Sequence, residues 1–328
     1  MKQLTGQMKP AYKTTLGQMF CGLAEDVLSR SAGSALKSKV QLIFTSPPFP
    51  LNRKKRYGNR SGSEYVDWLA AFGPLFRDLL SSDGSIVIEL GNAWEPGRPV
   101  MSTLALKALI ELQEKGNLQL CQEFICYNPA RLPSPAQWVT VERIRVKDAY
   151  TRLWWLAPSD RPKADNRRVL QPYSAAMRRL LKNKKYNAGR RPSQHVIGAE
   201  SFLKDHEGSI PPNVLTIANT NSNDAYQQHC RDYGLTGHPA RMPIELPSFF
   251  ISFLTEPGDV VLDPFAGSNT TGYAAEMLKR RWVSVEASEV YAADSEARFY
   301  LNEEPADVLP QQSGSLARAR VISTTARR

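Results

Sequence analysis

Three groups of residues have the types and spacing to do chemistry. Thr45-Ser46-Pro47-Pro48-Phe49 follows the apolar run Val40-Gln41-Leu42-Ile43-Phe44. Proline has no N–H for a strand ladder, and the residue before it is pushed away from helical geometry. The pentapeptide therefore predicts a stiff, extended end to a buried strand. It presents a hydroxyl on Ser46, free carbonyls and the ring of Phe49 at the edge where open α/β sheets bind ligands. The second group, Asp263-Pro264-Phe265-Ala266-Gly267-Ser268-Asn269-Thr270-Thr271, lies between the apolar run Val260–Asp263 and a helix over Gly272–Arg280. A strand, a turn of small residues and a helix start bring backbone N–H groups close to a ligand. The pattern is not a P-loop, because no lysine precedes Ser268 or Thr270. With only Gly267 and Gly272 it is a poor G-x-G-x-x-G. The third group is Glu286, at the end of the strand Trp282–Glu286. A carboxylate there suits the two ribose hydroxyls of an adenosine-type cofactor. Taken alone, Glu286 reads more readily as an exposed strand-end glutamate.

The elements that must position these groups alternate as in a wound α/β sheet. A strand over Gly17–Gly22 leads into a helix from Leu23. After Phe49, the segment from Asn52 to Gly62 is basic and glycine-punctuated, and reads as a loop. An amphipathic helix runs from Ser63 to about Leu80. A turn at Ser82-Asp83-Gly84 and a buried strand over Ser85–Gly91 follow. A helix over Val100–Lys115 precedes strands over Leu120–Tyr127 and Tyr150–Leu156. Further on, a helix over Ile244–Leu254 starts behind Pro243, and a last helix covers Glu289–Leu301.

Between Arg161 and Arg191 the composition turns polar and basic, with the single acid Asp165. Val196, Ile197, Phe202, Val214, Leu215 and Ile217 offer a small core, so residues 161–235 read as an ordered inserted module. The chain carries a formal net charge of +10, which favours a polyanion such as nucleic acid or an anionic surface. Arg53, Lys54, Lys55 and Arg56 in the loop, and Arg167, Arg168, Arg190 and Arg191 in the insertion, are the expected contacts to a phosphate backbone. Four scattered cysteines make no C-x-x-C pair, and four histidines make no ligand pattern. A disulfide framework and a metal site are therefore not expected. No apolar run approaches the length of a membrane span, so a cytoplasmic protein is expected. Residues 303–328 read as a disordered tail.

The pentapeptide at Thr45 and the loop at Asp263, in that order, resemble the amino-group DNA methyltransferases of bacteria and phages, in the circularly permuted beta class. The likeness covers roughly residues 17–158 and 237–302. The Ser-Pro-Pro-Phe form is similar to that of cytosine-N4 enzymes, whereas aspartate or asparagine at the first position marks adenine-N6 enzymes. The resemblance implies a Rossmann-like fold that uses S-adenosyl-L-methionine. Residues 1–160 would form the catalytic half, 161–235 a target-recognition module and 236–302 the cofactor half. It implies that Ser46, Pro47, Pro48 and Phe49 act on a flipped-out cytosine of double-stranded DNA. Ser46 and the Pro47 carbonyl would accept the amino N–H bonds, and Phe49 would stack on the base. It also implies that Thr45, His238, Pro239, Asp263, Phe265, Ala266, Gly267, Ser268, Asn269, Thr270 and Glu286 surround the cofactor. Asn269 stands where the family often has a second glycine. Gly22 is followed by Leu23 where many members have an acid reaching the cofactor adenine, which leaves Glu25 and Asp26 as the candidates. A restriction-modification or phage setting, a cognate endonuclease and a monomer or homodimer complete the expectation. Adenine-N6 methylation and a non-catalytic nucleic-acid-binding protein are the alternatives.

Overall fold

A computed structural model of the chain describes residues 9–49, 62–218 and 225–300. Short strands β1 (Tyr12–Lys13) and β2 (Gly17–Cys21) lead into helices α1 (Ala24–Leu28) and α2 (Ser31–Leu36). Strand β3 (Val40–Thr45), helices α3 (Gly62–Ala70) and α4 (Phe72–Leu79), strand β4 (Leu80–Leu90) and helix α5 (Leu104–Gly116) follow. Strands β5 (Gln119–Tyr127) and β6 (Tyr150–Ala157) form a hairpin whose loop contains a π-helical turn at Gln137–Val141. The next segment holds a 3-10 turn (Asn166–Val169), α6 (Ala175–Asn183), β7 (Gly189–Arg190), β8 (Val196–Ile197), β9 (Val214–Thr216) and α7 (Ala225–Asp232). The chain closes with α8 (Glu245–Leu254), β10 (Val260–Asp263), α9 (Thr270–Met277), β11 (Arg281–Glu286), α10 (Glu289–Asp294) and a 3-10 turn over Ser295–Tyr300.

Nine strands make one sheet in the order β1-β2-β11-β10-β3-β4-β6-β5-β9, while β7 and β8 pair separately. Strands β2, β11, β10, β3 and β4 run parallel to one another, so their carboxyl ends emerge on one edge. From β3 the chain moves one way across the sheet to β4. From β10 it moves the other way to β11. The crevice between β3 and β10 is thus the topological switch point, the place where an open α/β sheet binds its ligand.

All six residues of β3 are buried, which is why it reads as a continuous apolar run rather than an alternating one. One face packs Val40 and Ile43 with Val27, Leu69, Phe76 and Leu112 of α1 and α3–α5. The other packs Leu42 and Phe44 with Phe250, Leu254 and Ala274 of α8 and α9.

The helix expected from Ser63 to Leu80 is two helices broken at Ala71. Pro74 lies in the first turn of α4, where its missing N–H is harmless; in a continuous helix it would have removed an internal bond. The turn expected at Ser82–Gly84 is absorbed into β4, where Gly84 passes so close to β3 that a Cβ would lie 2.9 Å from the Val40 carbonyl. Residues 161–235 contribute in part to the main core, while Tyr226 and Cys230 form a small cluster of their own with Ala297. Strand β9 adds to the free edge of β5, and Val169, Leu215 and Ile217 join the cluster under α8. Val196 remains 74% exposed, so the expected small core is split. The pairing of β9 with β5 explains this: an unpaired strand edge is satisfied by the nearest extended segment. The tail expected at 303–328 lies outside the described residues. Among the described residues, no helix is long and apolar enough to cross a membrane.

Candidate functional site

The carboxyl ends of β3, β4, β10 and β11 surround one cavity of about 780 Å³. Ser46, Pro47, Pro48 and Phe49 form one wall, as expected. Pro47 is buried and Ser46 half-buried, so the stiff peptide is held from behind while its hydroxyl faces the cavity. Phe49 is seated on Gly91, where a Cβ would come within 3.0 Å of the ring, so a side chain there would displace the aromatic wall.

Sequence reasoning missed Glu89. It lies one residue before the end of β4, and Ile88 pairs with Thr45 across the ladder, which sets Glu89 beside Ser46. The hydroxyls of Thr151 and Ser46 bond to its carboxyl group. Burial dominates and raises its pKa above the ordinary carboxylate range. Those two hydrogen bonds and the positive charge of Arg131 oppose the rise. The available signal was the acid inside Ile86-Val87-Ile88-Glu89-Leu90, since a buried strand seldom carries a carboxylate without a use for it. Arg131 was missed as well. It follows β5 and lines the cavity with Asn128 and Thr151.

Across the cavity the Asp263 carboxylate ties three segments together. One oxygen accepts from the Thr45 hydroxyl at 2.8 Å and the Phe265 N–H at 3.1 Å; the other accepts from the Thr271 hydroxyl at 2.6 Å. Burial raises its pKa to about 6 against these bonds. Beyond it, Gly267 adopts φ +52°, in the region that favours glycine. A Cβ there would lie 3.2 Å from the His238 ring, which itself packs edge-on against Tyr291 at 4.7 Å. Glu286 accepts the Gly267 N–H on one oxygen and the Ser288 N–H on the other, both at 2.9 Å. Each oxygen keeps a further lone pair for a ligand.

Asp263, Phe265, Ala266, Gly267, Ser268, Thr270, Glu286, His238 and Pro239 all line the cavity, as the motif suggested. Two expected cofactor contacts do not reach it. Thr45 is fully buried and spends its hydroxyl on Asp263. Asn269 is fully buried and caps α9: at φ +54° it accepts from the Gly272 N–H and the Ser284 hydroxyl, and donates to the Tyr12 hydroxyl. Glu25 and Asp26 differ in position. Glu25 lines the cavity and accepts from the Trp68 indole at 3.1 Å, whereas Asp26 is not among the lining residues.

The expected phosphate contacts scatter. Arg53, Lys54, Lys55 and Arg56 lie outside the described residues. Arg190 and Arg191 sit at the β7–β8 ribbon, where Arg190 bonds Gln194 and Arg191 bonds the Asn187 carbonyl. Arg167 and Arg168 lie at the opposite edge of the sheet from the cavity. Arg167 pairs with Asp165 at 2.7 Å, and Arg168 donates to the Thr255 carbonyl and Glu256, just before β10 begins. The basic cluster there is used to fasten residues 163–169 under the sheet.

The profile of the DNA methylase family matches residues 40–297. The type II methyltransferase M.PvuII of Proteus hauseri is 44% identical over 296 residues, which span 90% of this chain and 87% of that protein. The chain belongs to the DNA methylase family. Among solved structures, the PvuII DNA methyltransferase (cytosine-N4-specific) matches this DNA methylase with a TM-score of 0.71 and 37% identity over 92% of each chain. The M1.HpyAVI–SAM complex shares the fold at a TM-score of 0.51, with 20% identity over 87% of this chain and 100% of that one. The Rossmann-like architecture expected from the motif order is thereby established for the methylase.

Proposed function

We propose that this DNA methylase transfers a methyl group from S-adenosyl-L-methionine to the exocyclic N4 of a cytosine turned out of double-stranded DNA. The observation that carries the reading is the placement of Ser46, bonded to Glu89, across one cavity from the Gly267 turn and Glu286. The 44% identity to M.PvuII supports the choice of cytosine.

The residues fit the cofactor. The turn at Gly267 is a cradle that a Cβ would fill, and the apolar Phe265 and Ala266 line it. Glu286, with one lone pair left on each oxygen, would accept the ribose hydroxyls, and Glu25 stands where the adenine end would lie. When bound, S-adenosyl-L-methionine supplies an electrophilic sulfonium methyl.

The chain's own groups then prepare the amino nitrogen. Its lone pair is delocalised into the ring, so the nitrogen must be allowed to pyramidalise. A serine hydroxyl has one donor and two acceptor positions. With its proton directed at Glu89, Ser46 turns its lone pairs to the cavity, where one accepts an amino N–H. The carbonyl of Pro47 accepts the second, and the two prolines hold both acceptors without reorganisation. The ring of Phe49, fixed over Gly91, provides the face on which the base stacks. The amino nitrogen so prepared would take the methyl group, and the bonding pair of the broken S–C bond would remain with the cofactor's sulfur. The surplus proton on N4 passes to the Ser46 oxygen, while Ser46 gives its own proton to Glu89.

A partner role beside an endonuclease of the same specificity fits the type II methyltransferases among its relatives. The test is mass analysis of nucleosides from DNA incubated with the protein and S-adenosyl-L-methionine. N4-methylcytosine is the expected product; N6-methyladenine alone would overturn the reading.

A further inference from the structure

The loop joining β5 to β6, residues 128–149, hangs over the cavity, because β5 ends and β6 begins on the edge where Ser46 and Glu89 lie. It is a fastened structure. The Asn128 N–H donates to the Ala149 carbonyl at its base, and the Lys147 ammonium clasps the Pro129 and Arg131 carbonyls at 3.4 and 3.0 Å. The Trp94 indole donates to Asp148, Arg145 donates to the Pro99 carbonyl, and Trp138 packs edge-on against Trp94.

With its backbone fastened by these bonds, the loop holds its aliphatic side chains out beside exposed charged ones. Leu132 is 80% exposed, Val146 86%, Val141 68% and Ile144 58%. A fastened loop that exposes four aliphatic residues is built to be covered, since such clusters on a soluble surface mark contact sites.

Three observations select the occupant. Arg131 and Asn128 line the cavity, so Leu132 begins where the cavity wall ends. The clasp from Lys147 to the Pro129 and Arg131 carbonyls brings the limb carrying Val146 beside the limb carrying Leu132. Exposed cations, Arg143 and Lys147, flank the aliphatic group. Aliphatic side chains beside the wall of a cavity large enough for a base and the cofactor, bordered by positive charge, fit duplex DNA at the point where a base leaves its stack. Apolar side chains pressed between base steps stabilise such an opening.

Resting on the methyltransferase reading above, we propose that Leu132 and Val146 form a wedge that enters the duplex beside the extruded cytosine and fills the space it vacates. Arg143 holds a phosphate beside the wedge, while Lys147 keeps the two limbs of the loop together.

The wedge matters only when the target must be drawn out of a paired stack. Sequencing DNA that the protein has methylated gives its site. Two short duplexes carrying that site are then compared, one fully paired and one with the target cytosine opposite an abasic position. The Leu132→Ala, Val146→Ala double variant is expected to lose tenfold or more in kcat/KM on the paired duplex and less than threefold on the abasic one. Its S-adenosyl-L-methionine affinity should stay at the parent value, and the Leu132→Met, Val146→Ile variant should restore the paired rate. Equal losses on both duplexes, or none on either, would overturn the wedge. So would a parent dimer that the double variant dissociates in sedimentation, which would assign the aliphatic group to a second copy. Failure of the parent to methylate any DNA would instead refute the methyltransferase reading itself.

Discussion

Asn269 separates a cofactor contact from a structural cap, and the energies follow from its bonds. It is fully buried at φ +54°, with its amide oxygen shared by the Gly272 N–H at 3.2 Å and the Ser284 hydroxyl at 2.7 Å. Its amide N–H donates to the Tyr12 hydroxyl at 2.8 Å, and burial of that phenol raises its pKa to about 12. Replacing Asn269 by alanine removes a helix cap, at about 1 kcal/mol. It puts a Cβ-bearing residue without a compensating local bond in the left-handed region, at roughly 1 kcal/mol more. It also leaves the Ser284 hydroxyl and one position of the Tyr12 hydroxyl unpaired, each at about 1 kcal/mol. Asn269→Ala should therefore lower the unfolding free energy by about 3–5 kcal/mol. Asn269→Gly, which is free of the backbone penalty, should lower it by about 2–3 kcal/mol. Urea unfolding followed by tryptophan fluorescence gives both values as the midpoint shift multiplied by the slope. Calorimetry at a temperature where both variants remain folded should show cofactor affinity within threefold of the parent. A stability change below about 0.5 kcal/mol, combined with a tenfold loss of affinity, would refute the cap and return Asn269 to the binding site.

Gly267→Ala should weaken S-adenosyl-L-methionine binding tenfold or more by calorimetry. The substitution strains a backbone at φ +52°, and its Cβ meets His238 at 3.2 Å. Glu89→Gln should remove the acid limb of the methyl-transfer rate. In the parent, the rate should fall as pH drops through the raised pKa of Glu89, because the protonated acid no longer accepts from Ser46; that limb should lie above the ordinary carboxylate range. A parent profile with no such limb, or one that Glu89→Gln leaves in place, would remove Glu89 from the mechanism. Arg168→Ala should cost about 1 kcal/mol in urea unfolding, because the Thr255 carbonyl loses one of its two guanidinium donors and keeps Arg280, and should leave DNA affinity and its salt slope unchanged.

The reach of sequence reasoning divides by the kind of physics involved. Strands β3 and β10 were legible because burial on both faces demands largely apolar runs, and proline marks where each run stops. The lining role of Ser46–Phe49, Gly267 and Glu286 was legible for the same reason: a strand end fixes the position of the residue that ends it. Roles set by a partner far away in sequence were not legible. Thr45 and Asn269 belong to the right motifs, yet their side chains turn away from the ligand toward Asp263, Ser284 and Tyr12, and no local pattern gives that direction. Glu89 needed the β3–β4 register to become the neighbour of Ser46. Which cations stay free was not legible either, because charge states how many cations a chain has, while the fold decides which of them are spent on carboxylates and carbonyls. Arg168 is spent in this way on Thr255 and Glu256.

The chain order raises a question that Asp263 answers. The wall proposed to act on the base comes from β3, and the turn proposed to hold the cofactor comes from β10 and α9, far later in the sequence. Methyl transfer requires the two to keep their distance within a fraction of an ångström. Backbone pairing of β3 with β10 supplies the adjacency, but the register shifts at Val260/Val261, and the ladder pairs run only to Leu262 and Ile43. Beyond that point the Thr45–Asp263 bond, spanning 218 residues of sequence at 2.8 Å, joins the two strand ends directly below the cavity. The same carboxylate reaches Thr271 in the first turn of α9, so one buried group sets the base wall, the cofactor turn and the helix start against each other. Asp263→Asn keeps an acceptor for one threonine but offers an N–H to the other, whose hydroxyl must then turn. If the carboxylate sets the spacing, this change should lower kcat more than it raises the cofactor dissociation constant. Equal effects on both would show that Asp263 serves binding alone.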